Sequence, residues 1–327
     1  MSVGLLPQIS DIEAAEGRLA GYARVTPLLE SPRLNALADA RLLIKPECLQ
    51  RTGSFKFRGA FNKIAQIPEE RRARGVVAFS SGNHAQGVGA AAEIIGLPAT
   101  IVMPSDAPAI KIENTKNYGA KIVFYDRADG NRVAVAEDIL AQTDGTLIPP
   151  YNDFDVIAGQ GTIGLELARE AEALEASFDI VLGPSSGGGM MAGVALAFAS
   201  WSPDTSLYSV EPNQYDDIAQ SLATGDRVII EVGMPSLCDA LLLETPGKLT
   251  FEIMKSRLAG GVSVSDEEAL AAVRVAFDEL KIVLEPSGAT ALAAVLQRKI
   301  DVRGKIVGII CSGGNVDPDI FVRALQS

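Results

Sequence analysis

The chain has 327 residues, of which 47% are hydrophobic and 21% charged, a composition typical of a globular protein large enough for about two domains. Its formal charge of −12, without long runs of Lys or Arg, argues against a general nucleic-acid-binding surface, which needs clustered cations. No apolar run reaches the length of about eighteen residues that a membrane span needs, so none is predicted.

Cysteine and histidine are scarce in this sequence. Cys48, Cys238 and Cys311 lie far apart without C-x-x-C spacing, so we expect reduced thiols and a cytoplasmic location. The opening segment MSVGLLPQIS lacks the charged and apolar regions of a secretory leader, and none is expected. With His84 as the sole histidine, neither a His-rich metal cluster nor a Ser-His-Asp triad has spare candidates.

Short apolar runs, each followed by a turn rich in Gly, Ser or Pro and then by an amphipathic stretch, recur along the chain. The clearest examples lie in residues 75–97, 99–108, 121–126, 178–200 and 305–327. Strands that alternate with helices in this way predict an α/β fold of parallel βαβ units, with helices on both faces of open sheets.

A glycine-rich loop, SSGGGM at residues 185–190, joins a predicted strand to a predicted helix. Glycines let backbone N–H groups approach an anion closely, and a helix N-terminus adds partial positive charge. The loop has neither the Walker nor the G-x-G-x-x-G pattern. A tight turn without a ligand is the alternative, but consecutive glycines are entropically unfavourable, so we favour a phosphate-binding loop.

Two further loops, SSGNH at residues 80–84 and CSGGN at residues 311–315, follow predicted strands. Alone, each could be a helix cap or a turn. Because ligands of α/β sheets bind at the carboxyl ends of the strands, we expect all three loops around one crevice.

A lysine lies between two phenylalanines in RTGSFKFRGA, residues 51–60. In a strand, Phe55 and Phe57 would face the core and Lys56 would face water. That interpretation is usually right for an isolated Phe-Lys-Phe, so the other motifs must decide it.

Four motifs in this order and spacing, SFKFRGA, SSGNHAQG, SSGGGMMAG and CSGGNVD, resemble the fold-type II pyridoxal-phosphate (PLP) enzymes. Within these, they are most similar to the serine/threonine dehydratase and serine racemase family. VIAGQGTIGLEL (156–167) and EPSGA (285–289) also match, so the resemblance runs from about Arg24 to the C-terminus.

The resemblance implies two open, twisted parallel-sheet domains of the tryptophan synthase β type, with the cofactor in the cleft between them. The smaller domain is expected at residues 71–149, inserted into a larger one formed by residues 1–70 and 150–327. By the same resemblance, the smaller domain closes over the substrate and the protein is a homodimer.

The resemblance also assigns the cofactor-binding residues. Lys56 would form the Schiff base with pyridoxal phosphate, and the flanking aromatic side chains would desolvate its amine and so lower its pKa. Asn83 would bond the ring hydroxyl oxygen, and Ser312 would face the pyridine nitrogen. The remaining cofactor contacts implied are Phe55 and the phosphate loop Ser186, Gly187, Gly188, Gly189 and Met190. Ser186 departs from the family, whose loop usually has four glycines.

The activity implied is that of a carbon–oxygen lyase, which eliminates water from a β-hydroxy amino acid to give a 2-oxo acid (or imino acid) and ammonia. L-Threonine, L-serine and 3-hydroxyaspartate stay open as substrates. Lys56 would remove the Cα proton. The substrate carboxylate is expected at Ser80, Ser81 and His84, with Arg132 as a further substrate-binding candidate.

Ser81 supports an alternative activity. In serine racemases the corresponding serine exchanges a proton on the face opposite the lysine, so Lys56 and Ser81 would be two opposed bases of a serine or aspartate racemase. A catalytically inactive PLP-binding protein is an alternative from another class. A dehydrogenase is disfavoured because no dinucleotide fingerprint is present.

A divalent-cation site is implied by EPNQYDD, residues 211–217. It matches a racemase pattern in which two carboxylates and a backbone carbonyl bind the metal, here Glu211, Asp217 and the intervening Tyr215. Oxygen ligands suit Mg²⁺, Ca²⁺ or Mn²⁺. Without the resemblance, acidic residues that favour a helix N-terminus would explain the pattern equally well.

Overall fold

The computed structural model describes residues 6–107, 109–126, 130–231 and 234–326. The strands of this part of the chain are β1 (Arg41–Pro46), β2 (Val76–Phe79), β3 (Ala99–Pro104), β4 (Lys121–Tyr125), β5 (Thr146–Leu147), β6 (Ile180–Pro184), β7 (Ser206–Pro212), β8 (Leu258–Val264) and β9 (Ile306–Cys311). The helices are α1 (Ile9–Leu19), α2 (Pro32–Ala38), α3 (Lys56–Ala65), α4 (Glu69–Arg72), α5 (Asn83–Ile95), α6 (Ala109–Asn117), α7 (Arg132–Thr143), α8 (Phe154–Ala173), α9 (Gly189–Trp201), α10 (Asp217–Thr224), α11 (Lys248–Lys255), α12 (Asp266–Val275), α13 (Pro286–Leu296) and α14 (Pro318–Gln326). None of the described helices is long and apolar enough to cross a bilayer.

The larger sheet has five parallel strands in the order β1-β9-β6-β7-β8. Strand β6 is buried along its whole length and β9 is buried beyond its first residue. Val181 packs into the apolar cluster on one face and Leu182 into the cluster on the other. Strands buried on both faces are typical of parallel sheets that are covered by helices on each side.

The smaller sheet has four parallel strands in the order β4-β3-β2-β5, all contributed by residues between Val76 and Leu147. Its main core also includes Phe57 and Phe61 of α3, so this helix packs against the smaller sheet. The predicted α/β fold with two parallel sheets is confirmed. The domain limits given above stay a prediction.

Helix α3 packs on α8 at a crossing of small residues. A Cβ atom on Gly159 would lie 2.7 Å from the carbonyl oxygen of Arg58 and 2.7 Å from Cα of Gly59. Real side chains do not tolerate such distances, so the glycine lets the two backbones approach. This contact fixes α3, and therefore Lys56 at its first turn, against the larger sheet's helices.

A buried ion network supports the same helix. Arg58 is 1% exposed and its guanidinium donates hydrogen bonds to both carboxylate oxygens of Glu47 and to both of Glu166, at 2.6–2.9 Å. Lys45, fully buried, lies 2.8 Å from Glu166. Two hydrogen bonds from one guanidinium to both oxygens of one carboxylate are among the strong hydrogen-bonded arrangements in proteins. The network joins α3 to β1 and α8.

Candidate active site

Lys56 begins α3, and its amine lies in a desolvated pocket. The Nζ atom donates a hydrogen bond of 2.8 Å to the carbonyl of Pro150 and lies 5.1 Å from the centre of the Phe55 ring. Burial lowers the pKa of the amine to about 8 because desolvation disfavours the charged form. Phe57 instead packs in the core, with its ring centre 5.4 Å from that of Phe61. Since the segment is helical, only Phe55 faces the amine.

The glycine-rich loop lies between β6 and α9. Gly188 has φ +86°, a left-handed conformation that glycine adopts readily, and α9 begins at Gly189. The ring of Tyr151 lies against the loop, because a Cβ atom on Gly187 would be 2.4 Å from its Cγ. Backbone amides at this helix N-terminus form a cradle suited to an anion. We call residues 186–190 the cradle.

Two neighbouring segments hold the cradle in place. The hydroxyl of Ser186 accepts a hydrogen bond from the backbone N–H of Leu243, at 3.2 Å. The carbonyl of Gly187 accepts one from the hydroxyl of Thr250, at 2.6 Å. Ser186, at the position where the resemblance leads us to expect glycine, contributes a side-chain hydrogen bond that glycine could not make.

Asn83 is fixed at the start of α5 by two partners. Its Nδ2 donates to Oε1 of Glu285, at 2.7 Å, and its Oδ1 accepts from Nδ2 of Asn315, also at 2.7 Å. Burial raises the pKa of the Glu285 carboxyl to about 8. The second hydrogen of Asn83 Nδ2 can still donate to a cofactor oxygen. The sequence motifs EPSGA and CSGGN contained these partners but did not reveal their role.

Ser312 and Lys56 are brought together by a short backbone pairing. Ser54 and Gly313 form an isolated antiparallel bridge, and the N–H of Phe55 donates to the carbonyl of Ser312 at 3.1 Å. Ser312 is 5% exposed. Residues from the two ends of the chain thus lie side by side, as the motifs predicted only in outline.

The predicted substrate-binding loop follows β2. The hydroxyl of Ser80 accepts a hydrogen bond from the N–H of Gly82, at 3.2 Å, and Ser81 is half-buried beside it. His84 is 3% exposed, and its Nε2 lies 2.8 Å from the carbonyl of Ile148. Since a carbonyl only accepts, Nε2 carries the proton. Burial and the nearby Lys56 lower the pKa of His84 to about 3, so its ring supplies no positive charge to a substrate.

Arg132 lies at the start of α7, close to the end of β2. Its guanidinium carbon is 5.6 Å from the centre of the Phe79 ring, and Phe79 immediately precedes Ser80. The structure therefore places a cation beside the predicted carboxylate-binding loop. Its role as a substrate contact stays a prediction.

The predicted metal residues surround the start of α10. Both carboxylate oxygens of Glu211 accept backbone hydrogen bonds, from Ile218 at 3.0 Å and Ala219 at 2.9 Å. Both oxygens of Asp217 are buried without a hydrogen-bond partner among the described residues, and burial raises the pKa of this carboxyl to about 7. Tyr215 is 4% exposed and its hydroxyl donates to the carbonyl of Met234, at 3.4 Å.

Side-chain ligands alone do not identify a metal centre at these residues. No group of three or more His, Cys, Asp or Glu side chains is placed to hold a metal ion within the described ranges. The predicted site has two carboxylates and a backbone carbonyl, and it stays a prediction.

Comparison with known proteins identifies the family. Residues 19–313 match the family model described as pyridoxal-phosphate dependent enzyme. The chain belongs to this family. It is 44% identical over 322 residues to an L-threo-3-hydroxyaspartate ammonia-lyase from Pseudomonas sp, covering 98% of this chain and 99% of the relative. It is 39% identical to a serine racemase from Schizosaccharomyces pombe, covering 98% of each.

A solved structure of this PLP-dependent family has the same fold. The crystal structure of threonine deaminase from T.th. superposes with a TM-score of 0.89 and 42% identity, covering 95% of this chain and 99% of that one. The predicted resemblance and the predicted cofactor, pyridoxal phosphate, are therefore confirmed.

The residues present fit this cofactor. A desolvated lysine amine, a cradle whose Gly187 has no room for a Cβ atom, and a fixed amide at Asn83 all lie around one site. The name of the Pseudomonas relative differs in one respect from the lyase class predicted above, because an ammonia-lyase is named for the carbon–nitrogen bond rather than the carbon–oxygen bond.

Proposed function

We propose that this protein is a PLP-dependent ammonia-lyase that eliminates water from a β-hydroxy amino acid, with 3-hydroxyaspartate as the first candidate substrate. The observation that carries the proposal is the Lys56 amine, whose pKa is lowered to about 8 and which bonds the carbonyl of Pro150, the residue before the Tyr151 that packs on the cradle. Relatives at 44% and 40% identity that carry the name L-threo-3-hydroxyaspartate ammonia-lyase support this choice of substrate.

The proposed cofactor contacts follow the geometry. Lys56 would bind pyridoxal phosphate covalently, the cradle would hold its phosphate, Asn83 its ring hydroxyl oxygen and Ser312 its pyridine nitrogen. When bound, pyridoxal phosphate supplies an electron sink that acidifies the substrate Cα–H bond. A serine hydroxyl at the pyridine nitrogen is neutral, which moderates that sink and suits elimination.

The chain's own groups would then perform the proton transfer. The amine of Lys56 is largely neutral above pH 8 and can accept the Cα proton, since a base works best with a pKa near the working pH. The N–H groups that begin α5, next to Ser80 and Ser81, would orient the α-carboxylate. The β-hydroxyl leaves as water, and hydrolysis of the product gives a 2-oxo acid and ammonia. Both lyase names thus describe one reaction.

Racemisation is the second candidate activity. Ser81, on the loop before α5, supports it, because two bases on opposite faces of Cα permit proton exchange, whereas one base does not. Ser81→Ala would abolish racemisation of L-serine and leave water elimination within about threefold of wild type, as measured by chiral chromatography and by 2-oxo acid release.

We also propose that Glu211, Asp217 and the carbonyl of Tyr215 bind Mg²⁺, Ca²⁺ or Mn²⁺. The support is the buried carboxyl group of Asp217, whose oxygens have no hydrogen-bond partner in the described part of the chain, since buried charges are normally paired or bound to metal. Each cation should raise the melting temperature of the wild type and not that of Asp217→Asn. Asp216→Asn is the matched control, because the Asp216 side chain is only partly buried and bonds only Gln220 within the described residues.

The proposed domain organisation has a large domain of residues 1–70 and 150–327 and a small domain of residues 71–149 that closes over the substrate. It is supported by the separate four-stranded sheet and by an ion pair between Lys111 of α6 and Asp239, which crosses between the two parts. We propose in addition a homodimer in the cytoplasm, testable by light scattering of the purified protein and by fractionation.

The decisive experiment measures 2-oxo acid release from L- and D-serine, L-threonine and the 3-hydroxyaspartate stereoisomers, with Mg²⁺ present. A preference for one hydroxyaspartate isomer supports the proposal. A preference for serine or threonine replaces the substrate but keeps the reaction. If none of these compounds releases a 2-oxo acid, the elimination reaction is refuted.

A further inference from the structure

Tyr151 forms one wall of the proposed active site. A Cβ atom on Gly187 would lie 2.4 Å from Cγ of the Tyr151 ring, and a Cβ atom on Gly189 would lie 2.9 Å from Cβ of Tyr151 and 3.0 Å from its Cα. Contact with Tyr151 therefore requires glycine at both positions, as would an anion bound to the cradle. A ring packed so closely on the backbone has little freedom to move.

The backbone on both sides of Tyr151 is also fixed. The carbonyl of Pro150 accepts the hydrogen bond from Lys56 Nζ, at 2.8 Å. On the other side, Oδ1 of Asn152 accepts from the N–H of Leu249, at 2.8 Å. Tyr151 thus lies between the reactive amine and the cradle, held by contacts on either side.

The hydroxyl of Tyr151 is available as a neutral donor. Burial raises its pKa, and among the nearby charges Arg132 and Arg227 oppose the rise while Asp217 adds to it. The phenol therefore keeps its proton at neutral pH. Among the described residues, the structure gives this hydroxyl no hydrogen-bond partner.

The positions of the Lys56 amine and of the Ser80–Asn83 loop leave the side of the site next to Tyr151 for the substrate's side chain. Cα must lie at Lys56 Nζ for its proton to be removed, and the α-carboxylate is assigned to the Ser80–Asn83 loop. With the α-carboxylate assigned to that loop, a substituent on the β-carbon would extend towards Pro150 and Tyr151. Arg132 and Arg227 are the cations that act on the Tyr151 phenol, and Arg132 is the one that also lies against Phe79, next to that loop.

We propose that Tyr151 is a specificity-determining residue, whose hydroxyl donates a hydrogen bond to the second carboxylate of a dicarboxylic β-hydroxy amino acid, together with the Arg132 guanidinium. This inference rests on the proposed function and names the substrate class within it. A neutral donor beside a cation suits a carboxylate, and hydrogen bonds to charged groups are the stronger kind. Serine and threonine have no group that would use this donor.

The test compares Tyr151→Phe, which keeps the ring on the cradle, with the wild type and with Tyr208→Phe, a control on β7 that faces Gly260. The kcat/KM for 3-hydroxyaspartate should fall about tenfold or more, mainly through KM, since that is the size expected for losing a hydrogen bond to a charged group. The kcat/KM for L-serine should stay within about twofold, and Tyr208→Phe should match the wild type.

A binding measurement gives a second readout that needs no turnover. L-Aspartate and L-alanine lack the leaving hydroxyl, and their binding to the holoenzyme is followed by the change in the cofactor's visible absorbance. Tyr151→Phe should weaken L-aspartate binding about tenfold and leave L-alanine unchanged. Combining it with Arg132→Gln should give a loss smaller than the product of the two single losses, because the residues share one carboxylate.

The outcomes separate this inference from the proposed function. Equal losses for 3-hydroxyaspartate and L-serine, or no loss for either, would overturn the role of Tyr151. So would a wild type that binds L-aspartate no more tightly than L-alanine. A wild type that turns over none of the β-hydroxy amino acids refutes the proposed function, and the binding measurement then still decides whether Tyr151 recognises a second carboxylate.

Discussion

Replacing Arg58 with methionine should destabilise the protein strongly, although Arg58 contacts neither cofactor nor substrate. Its guanidinium pairs with Glu47, which is fully buried, and with Glu166. Without Arg58, Glu166 keeps Lys45 as a partner, but Glu47 keeps a direct hydrogen bond only from Thr26 among the described residues. Removing one partner of a buried ion pair typically costs about 3–5 kcal/mol, because the other charge stays buried and uncompensated.

Urea unfolding followed by circular dichroism measures this loss. The control is Arg41→Met, whose partner Glu30 forms an ion pair with 36% and 34% of the two side chains exposed, so about 1 kcal/mol or less is expected there. Adding Glu47→Gln to Arg58→Met should restore part of the stability, because the uncompensated charge is then gone.

The sign of the pH dependence provides a further check. In the wild type the pKa of Glu47 is lowered, with desolvation outweighed by the charge of Arg58 and its hydrogen bonds, so Glu47 stabilises the protein at neutral pH and less so on acidification. In Arg58→Met, burial should raise that pKa, and the variant should lose stability as pH rises. The difference between the two proteins should therefore shrink from pH 8 to pH 5. A loss below about 1 kcal/mol at pH 8, or a constant difference, would refute this account.

Three further outcomes are expected. Because burial lowers the pKa of Lys56 to about 8 from an ordinary 10.5, the rate of cofactor loading onto the apoprotein, followed by visible absorbance, should be half-maximal near pH 8 and level off above about pH 9. Lys56→Ala should show no loading, and a rate that still rises steeply at pH 10 would contradict this account. Gly187→Ala should weaken cofactor binding in equilibrium dialysis at least tenfold, since its Cβ would overlap the Tyr151 ring, and unchanged binding would exclude that overlap. Lys111→Met and Asp239→Asn should each raise the rate of proteolysis in the segments between the two sheets, since each breaks the ion pair between Lys111 of α6 and Asp239. An unaltered rate of cleavage would refute a stabilising role for this ion pair.

The sequence predicted the fold class because its signals are local. Apolar runs such as KIVGII, followed by glycine turns and helices, require only neighbouring residues to be recognised. The strand order could not be predicted in the same way. The pairing of β1 with β9, in which Arg41 lies opposite Ile306, depends on side chains far apart in the chain. Many strands rich in β-branched residues would fit equally well beside β1.

The site shows the same division. The segments that carry Lys56, Asn83 and Ser312 were predictable as motifs. Asn83 follows a strand of the smaller sheet and Ser312 a strand of the larger one, and in both cases the residue lies after the carboxyl end of the strand, where ligands of such sheets bind. The partners that set their chemistry were not predictable, since a backbone carbonyl such as that of Pro150 can accept a hydrogen bond in any sequence. His84 shows the limit most clearly. Its motif predicted a substrate contact, but only the packed structure shows that its ring is buried and bonded to Ile148.

The position of β9 has a consequence for how the protein is made. This strand lies between β1 and β6, so during translation β1 has no neighbour in the sheet and β6 exposes an unpaired edge until β9 leaves the ribosome. Unpaired edges invite association with other chains, and contacts so distant in sequence form slowly. The hydrogen bond from the N–H of Phe55 to the carbonyl of Ser312 likewise forms only after residue 312 has been synthesised. The nascent chain should therefore depend on chaperones, and it should capture its cofactor only after nearly all of the polypeptide has been synthesised.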